Sequence, residues 1–367
     1  MTWTHTGYAQ RLHFGTGALD QLAGVLKDLG ARRVLLVTTA GRLASDDGQQ
    51  VVRHIGRSLA ATFDGVTSHL PTTVVEAAVR LARREGVDGI VSFGGGSCMD
   101  LGKALVYFTE QHGGTPGASY ADRPALPHVA IPTTYSGAEL TPFFGMTDEK
   151  TRTKTGGGGP TCAPIAVVYD PQLTLGTPAT VTAETAMNAL AHCAEAVYAT
   201  SRSPEAEAIA LAGAQRIHGI LPLVVDDPTD LPARTVLLEG AALAGRCLQN
   251  ASMGVHHGLA QMLGGRTGIA HGLANALILP HAIRFNLPAV PAELARLGAV
   301  LGDEADPAGA VERLVARIGL PSSLRACGVT DADLDALAAA APRNGNVARN
   351  PRPVSEDDAR MILEAAG

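Results

Sequence analysis

Three stretches of this chain are apolar without alternation: "RRVLLVTT" (Arg32–Thr39), "GIVSFGGG" (Gly89–Gly96) and "HVAIPTT" (His128–Thr134). A strand with one face in water alternates apolar with polar residues, whereas a strand covered on both faces need not. Runs of this kind therefore point to a parallel sheet buried between two layers. Helical patterns at Leu19–Leu29, Gly48–Leu59 and Val74–Glu85 separate the runs. Strand alternating with helix predicts a doubly wound, Rossmann-like α/β domain. "AVVYDP" (Ala166–Pro171) reads as the last strand.

After about Pro160 the texture becomes alanine- and leucine-rich with helical spacing. Ser203-Pro204 is a helix start, a capping serine followed by proline in the first turn. Further helices are expected across Arg234–Cys247, Val290–Leu301, Ala308–Ile318 and Ser355–Ala366. The expected organisation is an α/β domain over residues 1–160 and an all-α domain over 161–367, with a ligand in the cleft they form. "TGGGGP" (Thr155–Pro160) follows no strand run and reads as a flexible loop.

Composition narrows the function classes. Of 367 residues, 46% are hydrophobic and 17% charged, enough for a large core and too apolar for a disordered chain. The formal net charge is -6 and no dense basic run occurs, so a nucleic-acid partner lacks electrostatic support. Runs such as "AALAG" and "ANALILP" fall short of a membrane span, and the first 15 residues do not have the pattern of a secretory signal. The five cysteines are scattered, with no C-x-x-C pair, which suits a reducing cytoplasm and argues against a thiolate zinc site. These features predict a cytoplasmic protein acting on a small molecule, with neither nucleic acid nor membrane as partner.

Gly94-Gly95-Gly96-Ser97 lies between a strand and a helix, where backbone amides and the helix dipole favour an anion and glycines let a phosphate approach. The spacing is neither G-x-G-x-x-G nor a P-loop, and a bare turn competes with a phosphate cradle. Asp100 and Lys103 in the next helical turns shift the balance. So do the hydroxyls of Thr133, Thr134 and Ser136 after the neighbouring strand, because ends of adjacent parallel strands face one crevice. A dinucleotide is the economical ligand.

Histidines concentrate in the second half. In "ETAMNALAHCAEAVY" (Glu184–Tyr198), Asn188, His192 and Glu195 share one helical face; "GVHHGLAQMLGGRTGIAHGLANALILPHAIRFN" adds His256, His257, His271 and His281. Three readings compete: a metal site, a metal-free site in which imidazoles supply protons and hydrogen bonds, and core histidines bonded to carbonyls. For the group, a site is the favoured reading.

The motifs "FGTGALDQL", "FGGGSCMDLGKA", "IPTTYSGAELTPFFGMTDEKTRTKTG", "VVYDPQLTLGTP", "TAMNALAHCAEA" and "HHGLAQMLGG…AHGLANALILPH", in order over residues 14–286, resemble the iron-containing alcohol dehydrogenase superfamily, most of all its maleylacetate reductase branch. The resemblance implies NADH or NADPH with its diphosphate on Gly94–Ser97. It further implies Thr133, Thr134 and Ser136 along the cofactor, Asp100 nearby, and Thr38 and Thr39 at the adenosine-side strand end. No acidic residue at that strand end chooses between the two nucleotides. A homodimer is implied as well.

Metal-dependent members have an Asp where this chain has Asn188, followed by histidines matching His192, His257 and His271. A neutral amide is a poorer partner for a divalent cation, so no tightly bound metal is expected; if one binds, those three histidines would hold it. Where the reductase branch has a further histidine, this chain has Gln261, which cannot be a general acid. His271, His256 or Tyr135 would then take over the proton, with His192 and His257 also lining the catalytic pocket. Asn188 and Gln261 would face the substrate, and a dicarboxylate would need cations, for which Arg152, Lys154 and Arg246 are candidates. The expected activity is NAD(P)H-dependent reduction of a small unsaturated or keto acid. Open alternatives are a specialised relative from a secondary-metabolite pathway, with another and even non-redox reaction, and a nucleotide-binding protein without catalysis.

Overall fold

A computed structural model describes residues 3–113, 124–151 and 153–367. The chain forms two compact units. One comprises Gly7–Thr134 and Ala138–Gly176; the other comprises Tyr135–Gly137 and Thr177–Gly367 together with the N-terminal residues up to Thr6.

The first unit is built on six parallel strands: β1 (Arg11–Phe14), β2 (Val34–Val37), β3 (Leu59–Phe63), β4 (Gly89–Gly94), β5 (His128–Pro132) and, after the hairpin β6 (Phe143–Asp148) and β7 (Thr153–Gly158), β8 (Ala166–Tyr169). Their order is β1-β8-β5-β4-β2-β3. Every residue of β2, β4, β5 and β8 is buried, as the continuous apolar runs required. β1 (RLHF) and β3 (LAATF) lie at the sheet edges, are more exposed, and have no comparable run. Helices α1 (Leu22–Asp28), α2 (Ala40–Ala44), α3 (Asp46–Ile55), α4 (Thr72–Arg84) and α5 (Gly96–His112) connect the strands. Leu22, Val34, Leu36, Val51, Val91, Phe93, Val129 and Val168 belong to one buried cluster.

Two expectations need correction here. The expected domain boundary at 160/161 precedes β8, which pairs in parallel with β1 and β5; the sheet cannot be complete before residue 169. The glycine-rich "TGGGGP" is largely strand, because β7 pairs antiparallel with β6 in the register Phe143↔Gly158 to Asp148↔Thr153. Its glycines reflect close approach: a Cβ on Gly156 would meet the Phe144 carbonyl oxygen at 2.2 Å.

The second unit is helical: α6 (Ala179–Tyr198), α7 (Pro204–Asp226), α8 (Leu231–Leu248), α9 (Val255–Thr267), α10 (His271–Asn286), α11 (Pro291–Val300), α12 (Pro307–Arg317), α13 (Asp331–Ala340) and α14 (Glu356–Ala365). Ser203 caps α7 by accepting from the Ala206 amide at 3.1 Å. With 23 residues and a mean hydropathy of 1.5, α7 is long and apolar enough to cross a membrane, which the inspection of short apolar runs did not anticipate. Here it packs along α6 and α8.

Candidate active site

In the α/β unit, β2 and β4 are neighbours, while the connections leave them in opposite directions, to β3 on one side and β5 on the other. Such a reversal of strand order opens a crevice at the carboxyl ends of the strands. Gly94 ends β4 with φ +142°, a conformation L side chains rarely adopt, and its added Cβ would lie 2.7 Å from Cys98 Sγ. A Cβ on Gly95 would press on the Thr134 side chain at 3.3 Å. Gly95 precedes α5, whose N-terminus has no side-chain cap; the Cys98 amide turns back to the Gly95 carbonyl at 2.9 Å, which leaves the Gly96 and Ser97 amides for an anion. The Thr133 amide donates to the Gly94 carbonyl at 2.9 Å, joining the two loops. Thr38, just after β2, is buried with a hydroxyl that has no partner among the described residues. These groups are of the kind that a dinucleotide diphosphate would take.

Other candidates there have structural work. Thr39 Oγ1 accepts from the Arg42 amide and caps α2. Asp100 pairs with buried Lys103 at 2.7 Å and accepts from the Gly145 amide, while Lys103 donates to Ala138 O, Thr141 Oγ1 and Phe143 O, tying α5 to the base of β6. Lys154 is exposed on β7, and Arg152 lies outside the described residues.

In the helical unit, the face of α6 predicted from spacing is real: Asn188, His192 and Glu195 are all buried. His192 and His257 stack with ring centroids 4.7 Å apart, His256 stands edge-on to His257 at 4.8 Å, and His271 is 6.4 Å from His257. His281, ten residues along α10 from His271 and therefore about 15 Å further along its axis, sits instead beside Glu312 in a separate cleft.

The start of α9 explains this arrangement. A helix begins with four amides that lack partners inside it. Gly254 and His256 donate theirs to Glu195 Oε1 at 3.1 Å, His257 donates to Glu195 Oε2 at 3.3 Å, and Val255 donates to Asn350 Oδ1 at 3.2 Å. Glu195 also accepts from His257 Nδ1 at 2.7 Å. Burial pushes the Glu195 carboxyl up, but the bond and charge of His257, with His256 and the Gly254 amide, outweigh it and hold it below the usual range. Glu195 is thus an anion at neutral pH. Its position on the histidine face was visible in the sequence; its role was not, because the partners lie some 60 residues away.

The tautomers follow. An ionised carboxylate only accepts, so His257 carries its proton on Nδ1 and leaves Nε2 a bare acceptor; that atom is buried without a partner among the described residues. His256 Nε2 faces the Asn275 carbonyl at 2.9 Å and must carry the proton, so its Nδ1 accepts from His257 Nδ1 at 3.1 Å. His256 is therefore the carbonyl-bonded core histidine of the third reading, with burial lowering its pKa to about 4. His192, buried and beside three other imidazoles, is held well below the ordinary range, and its Nδ1 lacks a partner among the described residues.

Asn188 Oδ1 accepts from Asn275 Nδ2 at 3.0 Å and its Nδ2 donates to Ser136 O at 3.4 Å; Asn275 Nδ2 also donates to His271 O at 2.7 Å. The amide links α6 to α10, and its oxygen is already engaged. His192, His257 and His271 offer imidazoles, which suit Zn²⁺ or Fe²⁺, while Asn188 brings no negative charge to them. Glu195, His256 and His257 also lie within ligand distance of one another. Their geometry is accounted for without an ion, since both carboxylate oxygens take protein donors. Gln261 Oε1 accepts from Asn346 Nδ2 at 3.1 Å. Tyr135 is wholly buried and accepts from the guanidinium of buried Arg234 at 3.0 Å, an internal bond rather than a proton-donor position. Arg246 is half-buried in the last turn of α8.

Two family models match this chain: one described as iron-containing alcohol dehydrogenase over residues 9–171, the other as the C-terminal part of the Fe-containing alcohol dehydrogenase family over 182–367. The gap between them brackets the boundary of the two units at 176/177. A maleylacetate reductase from Rhizobium sp. strain MTP-10005 is 36% identical, covering 99% of this chain and 97% of its own. Its crystal structure superposes with a TM-score of 0.88 over 100% of this chain and 98% of that one. The maleylacetate reductase of Agrobacterium tumefaciens, 34% identical over the same shares, gives 0.87.

Proposed function

Because this chain belongs to the iron-containing alcohol dehydrogenase family, we propose that it is an NAD(P)H-dependent reductase of the maleylacetate reductase kind, acting on a small unsaturated or keto acid. The observation that carries this reading is the histidine cluster. Ring nitrogens of His192 and His257 are buried and without protein partners among the described residues, an arrangement suited to orienting a polar substrate and handling its proton. When bound, the nicotinamide supplies a hydride. The amides of Gly94–Ser97 hold its diphosphate, and Thr38, Thr133 and Thr134 line it. Asn188 keeps α6 and α10 in place where other members would hold a metal, and the protein works without a tightly bound ion. Lys154 and Arg246 remain candidates for holding a carboxylate of the substrate. A cytoplasmic homodimer is part of this reading.

Purified protein given maleylacetate should oxidise NADH or NADPH, and His271→Ala should abolish most of that rate. Turnover of a ketone, aldehyde or other enoate with none of maleylacetate would reassign the substrate, an outcome that the tethered amide at Gln261 makes worth testing. No cofactor oxidation by either nucleotide across such a panel would remove the reductase reading.

A further inference from the structure

We propose that Glu195 is a positioning residue for proton delivery: it keeps the Nδ1 proton of His257 in place, so that Nε2 is the ring atom that takes up a proton and gives it to the substrate. This rests on the reductase reading. Reduction needs a proton as well as a hydride, and Gln261 removes one expected source. His257 lies one turn before Gln261 on α9 and has the pairing the step needs, a buried carboxylate on one ring nitrogen and a bare second nitrogen. His256 cannot substitute, since its Nε2 faces a carbonyl and its Nδ1 faces His257.

Glu195 is itself immobilised. Three amides of the α9 start and the imidazole converge on its two oxygens. A Cβ on Gly254 would come within 3.0 Å of Oε1. A carboxylate fixed in this way orients the ring and fixes its tautomer, as the aspartate of a catalytic triad does for its histidine. The step balances. Nε2 would first take a proton from solvent; that N–H bond would then break as a new O–H or C–H bond forms on the substrate, whose carbon would receive the hydride that a bound dihydronicotinamide supplies. Oxidised nucleotide and reduced acid would result, with His257 neutral again and its Nδ1–H still on Glu195.

The test combines spectroscopy with kinetics. In substrate-free protein labelled with ¹⁵N-histidine, and with His257→Gln to assign the signal, neutral His257 should show the Nδ1–H tautomer. Glu195→Gln must oppose a side-chain N–H to one set of donors. It should move His257 toward Nε2–H, lower kcat by about 100-fold or more with KM changed less than about threefold, and displace the pH profile of kcat. Glu195→Asp, which keeps the charge, should retain the tautomer and recover part of kcat. An Nε2–H tautomer in the wild type would overturn the proposal. So would folded Glu195→Gln with wild-type kcat, or equal losses in the Gln and Asp variants with no change of tautomer. If Glu195→Gln does not fold, the wild-type spectrum and the Asp variant still decide. If the wild type reduces nothing, the reductase reading fails while the spectra report on Glu195 independently.

Discussion

A single amide separates two kinds of chemistry at the α6 histidine face. Asn188 replaces an anion with a dipole, and in the structure its oxygen is engaged by Asn275. Changing Asn188 to Asp would add the missing negative charge beside His192 and forfeit the bond to the Ser136 carbonyl. We expect wild-type protein to keep its activity in chelator and to carry well under one divalent ion per chain. Asn188→Asp should bind Zn²⁺ or Fe²⁺ at least tenfold more tightly by titration. Stoichiometric metal in the wild type, with activity lost on its removal, would refute this. The Asn188 difference could be read directly from the sequence. Its partner Asn275 could not, since nothing in a linear pattern pairs residues 188 and 275.

At the scale of elements, each unit has one helix start that bears on function, and the two are built differently. α5 begins on bare glycines, which leaves the Gly96 and Ser97 amides for an anion from outside the protein. α9 begins on Glu195 and Asn350, which consume its amides internally. Gly94 tests the first case. Alanine there would bear a φ of +142° and a Cβ 2.7 Å from Cys98 Sγ, a strain of about 1–3 kcal/mol. Gly94→Ala should weaken NADH binding at least tenfold in a fluorescence titration and lower the melting temperature; unchanged affinity would show that the loop does not hold the diphosphate. The β4–α5 loop was legible because a buried strand, a glycine run and a helix follow one another in sequence. The β6–β7 hairpin was not, because a run of glycines resembles a loop until the opposing strand shows why no side chain fits.

For the whole molecule, each unit contains a buried neutral histidine that makes folding sensitive to acid. His128, in the α/β unit, is hydrogen-bonded to Ser92 at 2.7 Å, and burial with nearby Lys103 lowers it to about 3; His256, in the helical unit, stands at about 4. Unfolded chains take up these protons near 6.5 while the folded protein does not, so the unfolded state binds more protons and stability falls as pH drops below about 6.5. From pH 8 to pH 5 each residue accounts for about 2 kcal/mol. Glu139 and Glu184, raised by burial, act in the opposite direction, so the clean measurement is a difference. In urea unfolding, the stability lost between pH 8 and pH 5 should be about 2 kcal/mol smaller in His128→Gln than in the wild type. An identical loss in both proteins would show that His128 is not kept neutral.

The linear chain by itself determined the class of each unit, the buried strands, the glycine turn and the shared face of Asn188, His192 and Glu195, because periodicity and local steric demand act over a few residues. Tertiary structure decided the edge strands, the unit boundary after β8, and the carboxylate that sets the tautomer of His257. Those depend on which distant groups meet. A hydrogen bond between residues 195 and 257 exists only because two helices pack at one angle, and that packing is a property of the folded core rather than of any local pattern.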